Sequence, residues 1–387
     1  MKTVWIKPRF PDIPLHSMYH ELSKHPPLDY RIIINQSKKI SPNHNFSSKT
    51  QNSIIRAIKY NFFSIPYTLF QIYQKYDIPE KTDLIFATEH VISSPKPWIV
   101  GLEFAGSLSG YLNPDLSKPF ILKKLKDKQC KFILPYSEWG KRTVNTLFPD
   151  PEIEKKIQVI RYTVSPKNFN SNTDDSVTRL LFVGTINPGN LMDYEFKGLN
   201  EILESFFTLQ KKYPALELVI RSKVSNKIKK LIQTFPNIRL IDYFVTATEM
   251  DNLFKTSHIF VQAGYGTLTN SVLEAASYGL SIITIDLFNN SEFIKHKQNG
   301  LLIKIDHTNF YDKFGMPNEH SSQFIKSIRK HHTEITAKMI EMLELLIDDT
   351  NLRKKLGMNA KNSISTGEFS ETNRNAVIKK IFDESLE

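Results

Sequence analysis

The chain has 387 residues, 40% hydrophobic and 24% charged, which is too long for one ordinary core and too apolar for a disordered chain. Its one cysteine, Cys130, excludes an internal disulfide and a thiolate metal cluster. The net charge of +11 is uneven: residues 1–165 carry 24 Lys+Arg against 14 Asp+Glu, and residues 166–387 carry 27 against 26.

In chain order, the first half reads as α/β with weak periodicity. Strands are expected at Val4–Lys7, Tyr30–Asn35, Leu84–Ala87, Trp98–Leu102, Lys131–Leu134 and Gln158–Tyr162. A helical region, Ile54–Lys75, is interrupted by Pro66. Cys130 precedes an apolar strand and reads as core filler. The polar stretch Ser165–Ser176 is the best linker. It divides the chain into domains 1–165 and 166–370, with a last helix, 371–387, expected to return to the first domain.

The second half alternates regularly. Strands are expected at Arg179–Thr185, Glu217–Ser222, Ile238–Tyr243, His258–Ala263, Ser281–Asp286 and Leu301–Ile305. Helices are expected between them at Glu195–Tyr213, Asn226–Thr234, Ala247–Lys255, Ser271–Tyr278 and Glu292–Lys297. Short β runs alternating with helical periods mean βα units and a parallel sheet covered on both faces, a Rossmann-like domain. Long helices are expected at about Gln323–Asp349 and at Asn373–Ser385. The pair His331-His332 has no acidic or Cys partner at ligand spacing along the chain and reads as surface.

The most informative stretch is Ser271–Asn299, closed by Gly300. Glu274 is a lone carboxylate on a small, apolar helix, and the β-branched run Ser281–Ile285 follows the helix-ending Gly279. A carboxylate beside a helix N-terminus, at the C-terminal edge of a parallel sheet, can hold a sugar hydroxyl while helix N–H groups hold phosphate. A solvent-facing Glu on a core helix is the alternative.

The ordered set of segments resembles the retaining GT-B glycosyltransferases that carry an E-x7-E motif (family 4, group 1). RLLFVGT with FKGLNEILESFFTLQKKYPALELVI resembles the first strand of the family's C-terminal domain, its phosphate-binding Lys-Gly, and the helix and strand beyond. NIRLIDYFVTATEMDNLFKTSHIFVQAG resembles the base-binding loop and next strand, and SVLEAASYGLSIITID with NGLLI resembles the motif helix and its sequel. LRKKLGMNAKNSI is similar to the C-terminal helices, and ILPYSEWGKRTV with IQVIRYTV to the end of the N-terminal domain. The likeness covers residues 130–387 well and residues 1–129 in outline. It implies two Rossmann-like domains facing across a cleft, with acceptor on the first and nucleotide sugar on the second.

The resemblance also implies roles. Glu274 matches the second motif glutamate, which grips the ribose, and Lys197 matches the phosphate-binding lysine. The turn of Thr267, Leu268, Thr269 and Asn270 matches the helix N-terminus under the diphosphate. Tyr243 and Phe244 match the base-binding loop, where rings stack on a base. Two positions depart from the pattern. Eight residues before Glu274 stands Gly266, so the carboxylate that meets the donor sugar is missing. After FVG, where an arginine is often found, stands Thr185. Arg221, at the end of ELVIRS, is a candidate replacement, or else a structural ion pair with Asp242.

The implied reaction moves a sugar from a nucleoside diphosphate sugar to a glycan, lipid-linked or small-molecule acceptor, as in polysaccharide or glycoconjugate synthesis. Retention, with the donor phosphate deprotonating the acceptor, needs no enzymic nucleophile. No Asp-x-Asp stands at a strand end, so neither a metal nor a resident cofactor is expected. His90, after Leu84–Ala87, and Glu103, after Trp98–Leu102, are candidate acceptor-side acid-base groups. The alternatives are a catalytically degenerate nucleotide-sugar binder and a nucleotide-sugar epimerase, the latter needing carboxylates that Gly266 does not supply.

The first half shows no aromatic-plus-basic recognition motif, so no nucleic-acid partner is expected. No run approaches ~20 apolar residues, and MKTVWIKPRF lacks an apolar signal core, so a cytoplasmic location is expected. The basic first half suggests peripheral contact with an anionic inner membrane face. The first choice for that contact is Lys118–Lys131, where Lys123, Lys124, Lys126 and Lys128 stand beside Phe120, Ile121, Leu122 and Leu125.

Overall fold

A computed structural model describes residues 1–10, 15–34, 59–167, 176–186, 193–267, 270–319 and 321–387. Asn35, Ile54–Ile58, most of the linker stretch, Leu268 and Thr269 lie outside the described residues. The chain forms two compact units: residues 1–163 with 311–322 and 368–387, and residues 164–310 with 323–367.

The first unit is built on five parallel strands: β1 (Lys2–Lys7), β2 (Tyr30–Ile34), β3 (Leu84–Thr88), β4 (Trp98–Leu102) and β5 (Cys130–Pro135). Their order is β2-β1-β3-β4-β5, so the strand order reverses between β1 and β3. Strands β3 and β4 are buried throughout, as expected where helices cover both faces of a parallel sheet. Cys130 is buried, and burial pushes its thiol up to about 12, so it is core.

Two expectations for this unit are corrected. Gln158–Tyr162 is not a strand: one bridge, Ile133 to Ile157, starts an extended segment held by hydrogen bonds from Gln158 N and Ile160 N to β5 carbonyls. Pro66 does not break its helix. It lies in the first turn of Ser64–Tyr73, where its missing N–H removes no intrahelical bond, and the irregular residue is Phe63.

The segment 311–322 joins this unit through a tight loop. Asp312 Oδ1 accepts from Phe314 N and Met316 N, and Trp139 Nε1 donates to Gly315 O at 2.9 Å. The helix Glu371–Leu386 closes the unit, with Phe382 buried against the Tyr30 ring and Asp383 accepting from the Tyr30 hydroxyl at 2.6 Å.

The second unit has six parallel strands: β6 (Thr178–Val183), β7 (Leu216–Arg221), β8 (Ile238–Ile241), β9 (Ile259–Gln262), β10 (Ser281–Ile285) and β11 (Leu301–Ile303). Their order, β11-β10-β9-β6-β7-β8, is that of a dinucleotide-binding fold, with the reversal between β6 and β9. The helix expected over Glu195–Tyr213 is two pieces, Asp193–Phe196 and Leu199–Gln210, separated by Gly198 in the left-handed region at φ 77°.

The helix Asn270–Ser277 ends at left-handed Gly279 and is braced from behind by Thr350–Ser365. Gly357 allows that approach, since a Cβ there would stand 2.0 Å from Gly279 O. The Ser281 hydroxyl donates to Arg353 O, which ties the same helix to the start of β10.

Candidate active site

In an open parallel sheet, ligands bind outside the carboxyl ends of the strands, where the strand order reverses. In the second unit that place lies beyond β6 and β9, and the sequence candidates gather along this edge. Gly198 fits against the backbone after β9: a Cβ on it would meet Ala263 O at 2.2 Å. Tyr265 N donates to Phe196 O at 2.7 Å, closing the same contact. Lys197 is therefore fixed at the switch point, half-buried.

Arg221 ends β7, the strand on the other side of β6. Gly184 N donates to Arg221 O, and Arg221 Nη1 donates to Gly184 O at 3.1 Å. The buried Nε of Arg221 has no hydrogen-bond partner among the described residues. The alternative pairing with Asp242 is not formed. Asp242 pairs with Lys229 and accepts at its carbonyl from Lys223 Nζ. Burial pulls the Arg221 guanidinium below its ordinary value, and the charge of Glu274 opposes that fall. Arg221 and Glu274 thus share one local field, although they come from β7 and from the helix after β9.

Glu274 is half-buried on the fifth residue of its helix, beyond the first turn. Asn270 opens that helix, and Thr267 precedes it at intermediate exposure. Gly266 stands in open space: a Cβ built there meets nothing within 4 Å. Tyr243 and Phe244 follow β8 and are 54% and 76% exposed. Aromatic rings this exposed at a strand's carboxyl end are available to stack on a planar group.

Behind this edge lies a network that the sequence reading missed. The Tyr265 hydroxyl donates to Glu201 Oε1 at 2.7 Å, and His332 Nδ1 meets the same oxygen at 2.9 Å. His332 Nε2 reaches Glu204 at 2.9 Å. His331 is buried, with Nδ1 2.9 Å from Glu334. The His331-His332 pair is therefore not a solvated face. Contrary to the sequence reading, His331 has an acidic partner three positions on, Glu334, whereas the partners of His332, Glu201 and Glu204, lie 131 and 128 positions away, where spacing along the chain could not reveal them.

In the first unit the corresponding place is beyond β1 and β3. His90 is fully buried there. Its Nδ1 donates to Thr88 O at 2.7 Å, which leaves Nε2 to accept from Lys7 Nζ at 3.0 Å. Burial and then the Lys7 charge push His90 well below its usual range, so it stays neutral near pH 7. Burial brings Lys7 down to about 8.

One residue earlier, the half-buried Glu89 places a carboxylate at this edge. It adopts φ 57°, rare for a residue with a side chain. Its carboxylate lies 3.8 Å from the Arg9 guanidinium and accepts from the Tyr111 hydroxyl at 3.1 Å. Glu103, beyond β4, is half-buried, and its charge acts on Tyr111 and Tyr162. The sequence carried a signal for Glu89 in the tripeptide Thr88-Glu89-His90, but which of its two polar residues faces outward depends on the φ reversal.

Among the described residues, one group has metal-ligand spacing: Glu21, His25 and Glu371 in the first unit. Lys24 pairs with Glu21 at 2.8 Å, and the buried Arg374 guanidinium feels both carboxylates. The cluster is an ion network tying the last helix to Ser17–Lys24. Among the described residues, no helix is long and apolar enough to cross a membrane.

Residues 178–315 match the family described as glycosyl transferases group 1. No curated protein matches the chain in sequence. Among solved structures, a glycosyltransferase from Rickettsia africae is similar over 100% of this chain and 98% of its own, at TM-score 0.59 and 14% identity. WaaG, a glycosyltransferase involved in lipopolysaccharide biosynthesis, is similar over 98% of each chain at TM-score 0.55 and 12% identity. Anabaena Alr3699/HepE, solved in complex with UDP-glucose, is similar over 99% of each chain at TM-score 0.54 and 11% identity. At such identities the structural likeness is one of fold. The two parallel-sheet units have the fold of GT-B proteins, and residues 178–315 match the group 1 glycosyltransferase family.

Proposed function

We propose that the chain transfers a sugar with retention from a nucleoside diphosphate sugar to a glycan or lipid-linked acceptor, without a metal ion. The observation that carries this reading is the shared field of Arg221 and Glu274 at the carboxyl edge of the second sheet, with Arg221 Nε unpartnered among the described residues and Lys197 on the same edge beside the turn after β9. Lys197, Arg221 and the backbone N–H groups that open the Asn270 helix are cationic or positive ends. They suit a departing diphosphate, a task that otherwise falls to a divalent cation. Glu274 takes the ribose hydroxyls, and Tyr243 with Phe244 cover the base. HepE, of the same fold, binds UDP-glucose, which favours a uridine donor.

In the transfer step the acceptor oxygen forms the new bond to the anomeric carbon as the bond to the β-phosphate oxygen breaks. The acceptor proton passes to the departing diphosphate. Arg9, Glu89 and Tyr111 at the first unit's switch point orient the acceptor. Buried, neutral His90 supports that edge through Lys7.

A second reading is a nucleotide-sugar binder without turnover. It is favoured by Gly266, which leaves empty the position of a carboxylate that would meet the donor sugar. Calorimetric titration with UDP, GDP and ADP and their sugars, followed by transfer assays with and without EDTA, tests both. Binding with turnover that survives EDTA supports the proposal, and binding without hydrolysis or transfer supports the second reading. Absence of nucleotide binding removes both. Anomeric proton coupling in the product tests retention.

A further inference from the structure

Three separate parts of the second unit meet at one carboxylate. Glu201 is 2% exposed and stands in the first turn of the helix Leu199–Gln210, just beyond Lys197 and the left-handed Gly198. Its Oε1 faces two donors: the Tyr265 hydroxyl at 2.7 Å, from the turn after β9, and His332 Nδ1 at 2.9 Å, from the helix Ser322–Asp348. Its Oε2 is buried without a hydrogen-bond partner among the described residues.

The carboxylate reaches the β9 edge through Tyr265. The Tyr265 ring is fully buried and stacks on Phe310, with centroids 5.8 Å apart. A buried phenol needs an acceptor for its proton, and Glu201 is that acceptor. Tyr265 N donates to Phe196 O at 2.7 Å. Tyr265 is thus tied at its tip to the helix after Lys197 and at its backbone to the residue before Lys197. Gly266 and Thr267 follow it directly.

Burial makes the Glu201 charge unfavourable unless a cation answers it. That cation is His332, whose Nδ1 and Nε2 each stand 2.9 Å from a carboxylate, Glu201 and Glu204. Glu204 is 57% exposed and can turn to water, whereas Glu201 is enclosed. On the histidine's own helix, Arg329 and Lys330 are exposed, and His331 and Lys338 are both engaged with Glu334. Burial favours neutral His332, but the bonds to both carboxylates outweigh it and hold its pKa above the ordinary 6.5.

We infer that Glu201 and Tyr265 are positioning residues for nucleotide-sugar binding, held in place by the charge of His332, so that donor affinity falls as His332 loses its proton. The inference rests on the reading of the β9 edge as the donor site. Loss of the proton leaves a buried carboxylate without a counter-charge. Water drawn to that carboxylate competes with the Tyr265 hydroxyl, and the turn before the Asn270 helix loses its anchor. A nucleotide sugar that needs the anchored turn binds the charged form better, and by linkage it raises the proton affinity of His332 by the same factor.

The test has one arm with a nucleotide sugar and one without. UDP-glucose keeps its charge between pH 5.5 and pH 8, so calorimetric titration at the two ends reads the protein alone. Binding about fivefold weaker is expected at pH 8. Tyr265→Phe, which removes one oxygen and keeps the ring, should bind more weakly at pH 5.5 and lose the pH dependence, although His332 still titrates. His332→Gln should lose it too, and Glu204→Gln should move its midpoint down. Without ligand, deuterium exchange at the Tyr265 amide, corrected for the intrinsic rate, should be faster at pH 8 than at pH 5.5 in the parent and equal at both in His332→Gln. UDP-glucose binding with the same pH dependence in parent and His332→Gln would overturn the inference and leave the donor reading standing. Exchange at Tyr265 that ignores His332 would overturn it whatever binds. Exchange that follows His332, in a chain that binds no nucleotide sugar at either pH, would uphold the network and remove the donor reading.

Discussion

Two glycines at the switch-point edge of the second sheet have opposite surroundings. Gly198 combines φ 77° with a backbone contact that a Cβ would drive to 2.2 Å, whereas Gly266 faces open space. Gly198→Ala should therefore cost about 2–4 kcal/mol, adding left-handed strain to a clash with Ala263 O, and should displace Lys197. Gly266→Ala should leave chemical denaturation midpoints unchanged. Equal effects of the two would mean that the approach of residue 198 to Ala263 is not tight.

Glu274→Ala should abolish donor affinity without lowering stability, because a half-exposed helix position gains propensity from alanine. Loss of folding with unchanged nucleotide affinity would remove Glu274 from the site. Arg221→Ala should weaken diphosphate binding by about 1.5–3 kcal/mol, the scale of charge-assisted hydrogen bonds, as read by titration calorimetry. Asp242 keeps Lys229 in that variant, so no orphaned buried carboxylate should complicate the result.

Between elements, the helix Ser322–Asp348 is joined to Leu199–Gln210 through His332 and the carboxylates of Glu201 and Glu204. Burial lowers the His332 pKa, but the hydrogen bonds to both carboxylates outweigh it, and the folded value lies above the ordinary 6.5. A raised folded pKa means a contribution present in full below 6.5 and lost as pH rises through the folded value. Urea denaturation between pH 6 and pH 8 should show this loss, on the order of 1 kcal/mol, and His332→Gln should flatten it. An unchanged pH slope in the variant would place the titration elsewhere.

This coupling was illegible in the sequence because a tertiary contact over 131 positions leaves no local pattern. The βα alternation of the second unit was legible because β9, β10 and β11 are buried throughout and β6 over its last four residues, so apolar runs such as Leu180–Val183 and Ile259–Val261 mark it. In the first unit the rule that apolar faces point inward fails at Ser64–Tyr73, where Ser64 and Thr68 are buried with their hydroxyls on Ser117 while Phe70 and Tyr73 are exposed. At the switch-point edge of the second sheet, Lys197 and Glu274 were picked out through motif resemblance. At the first unit's edge, the burial of His90 beside the half-buried Glu89 was not legible, because it follows from the left-handed conformation of Glu89.

For the whole molecule, the first unit is assembled from three stretches of chain, 1–163, 311–322 and 368–387. The last of these supplies Ile378, Ile381 and Phe382 to its core, and Arg374 Nη2 donates to His25 O at 2.8 Å. Ending the chain at residue 367 should therefore make 1–163 sensitive to limited proteolysis while 164–310 persists. Equal resistance of the two would mean that the last helix is dispensable. The same division sets an order of events during synthesis. Domains ordinarily fold as they leave the ribosome, amino-terminal first. Here the unit translated first lacks its closing helix until translation reaches residues 368–387, so the unit translated second is complete before it. A nascent chain stalled after residue 330 would carry the hydrophobic bed of that helix uncovered. That interval is when a chaperone able to bind apolar surface would have its greatest effect on yield.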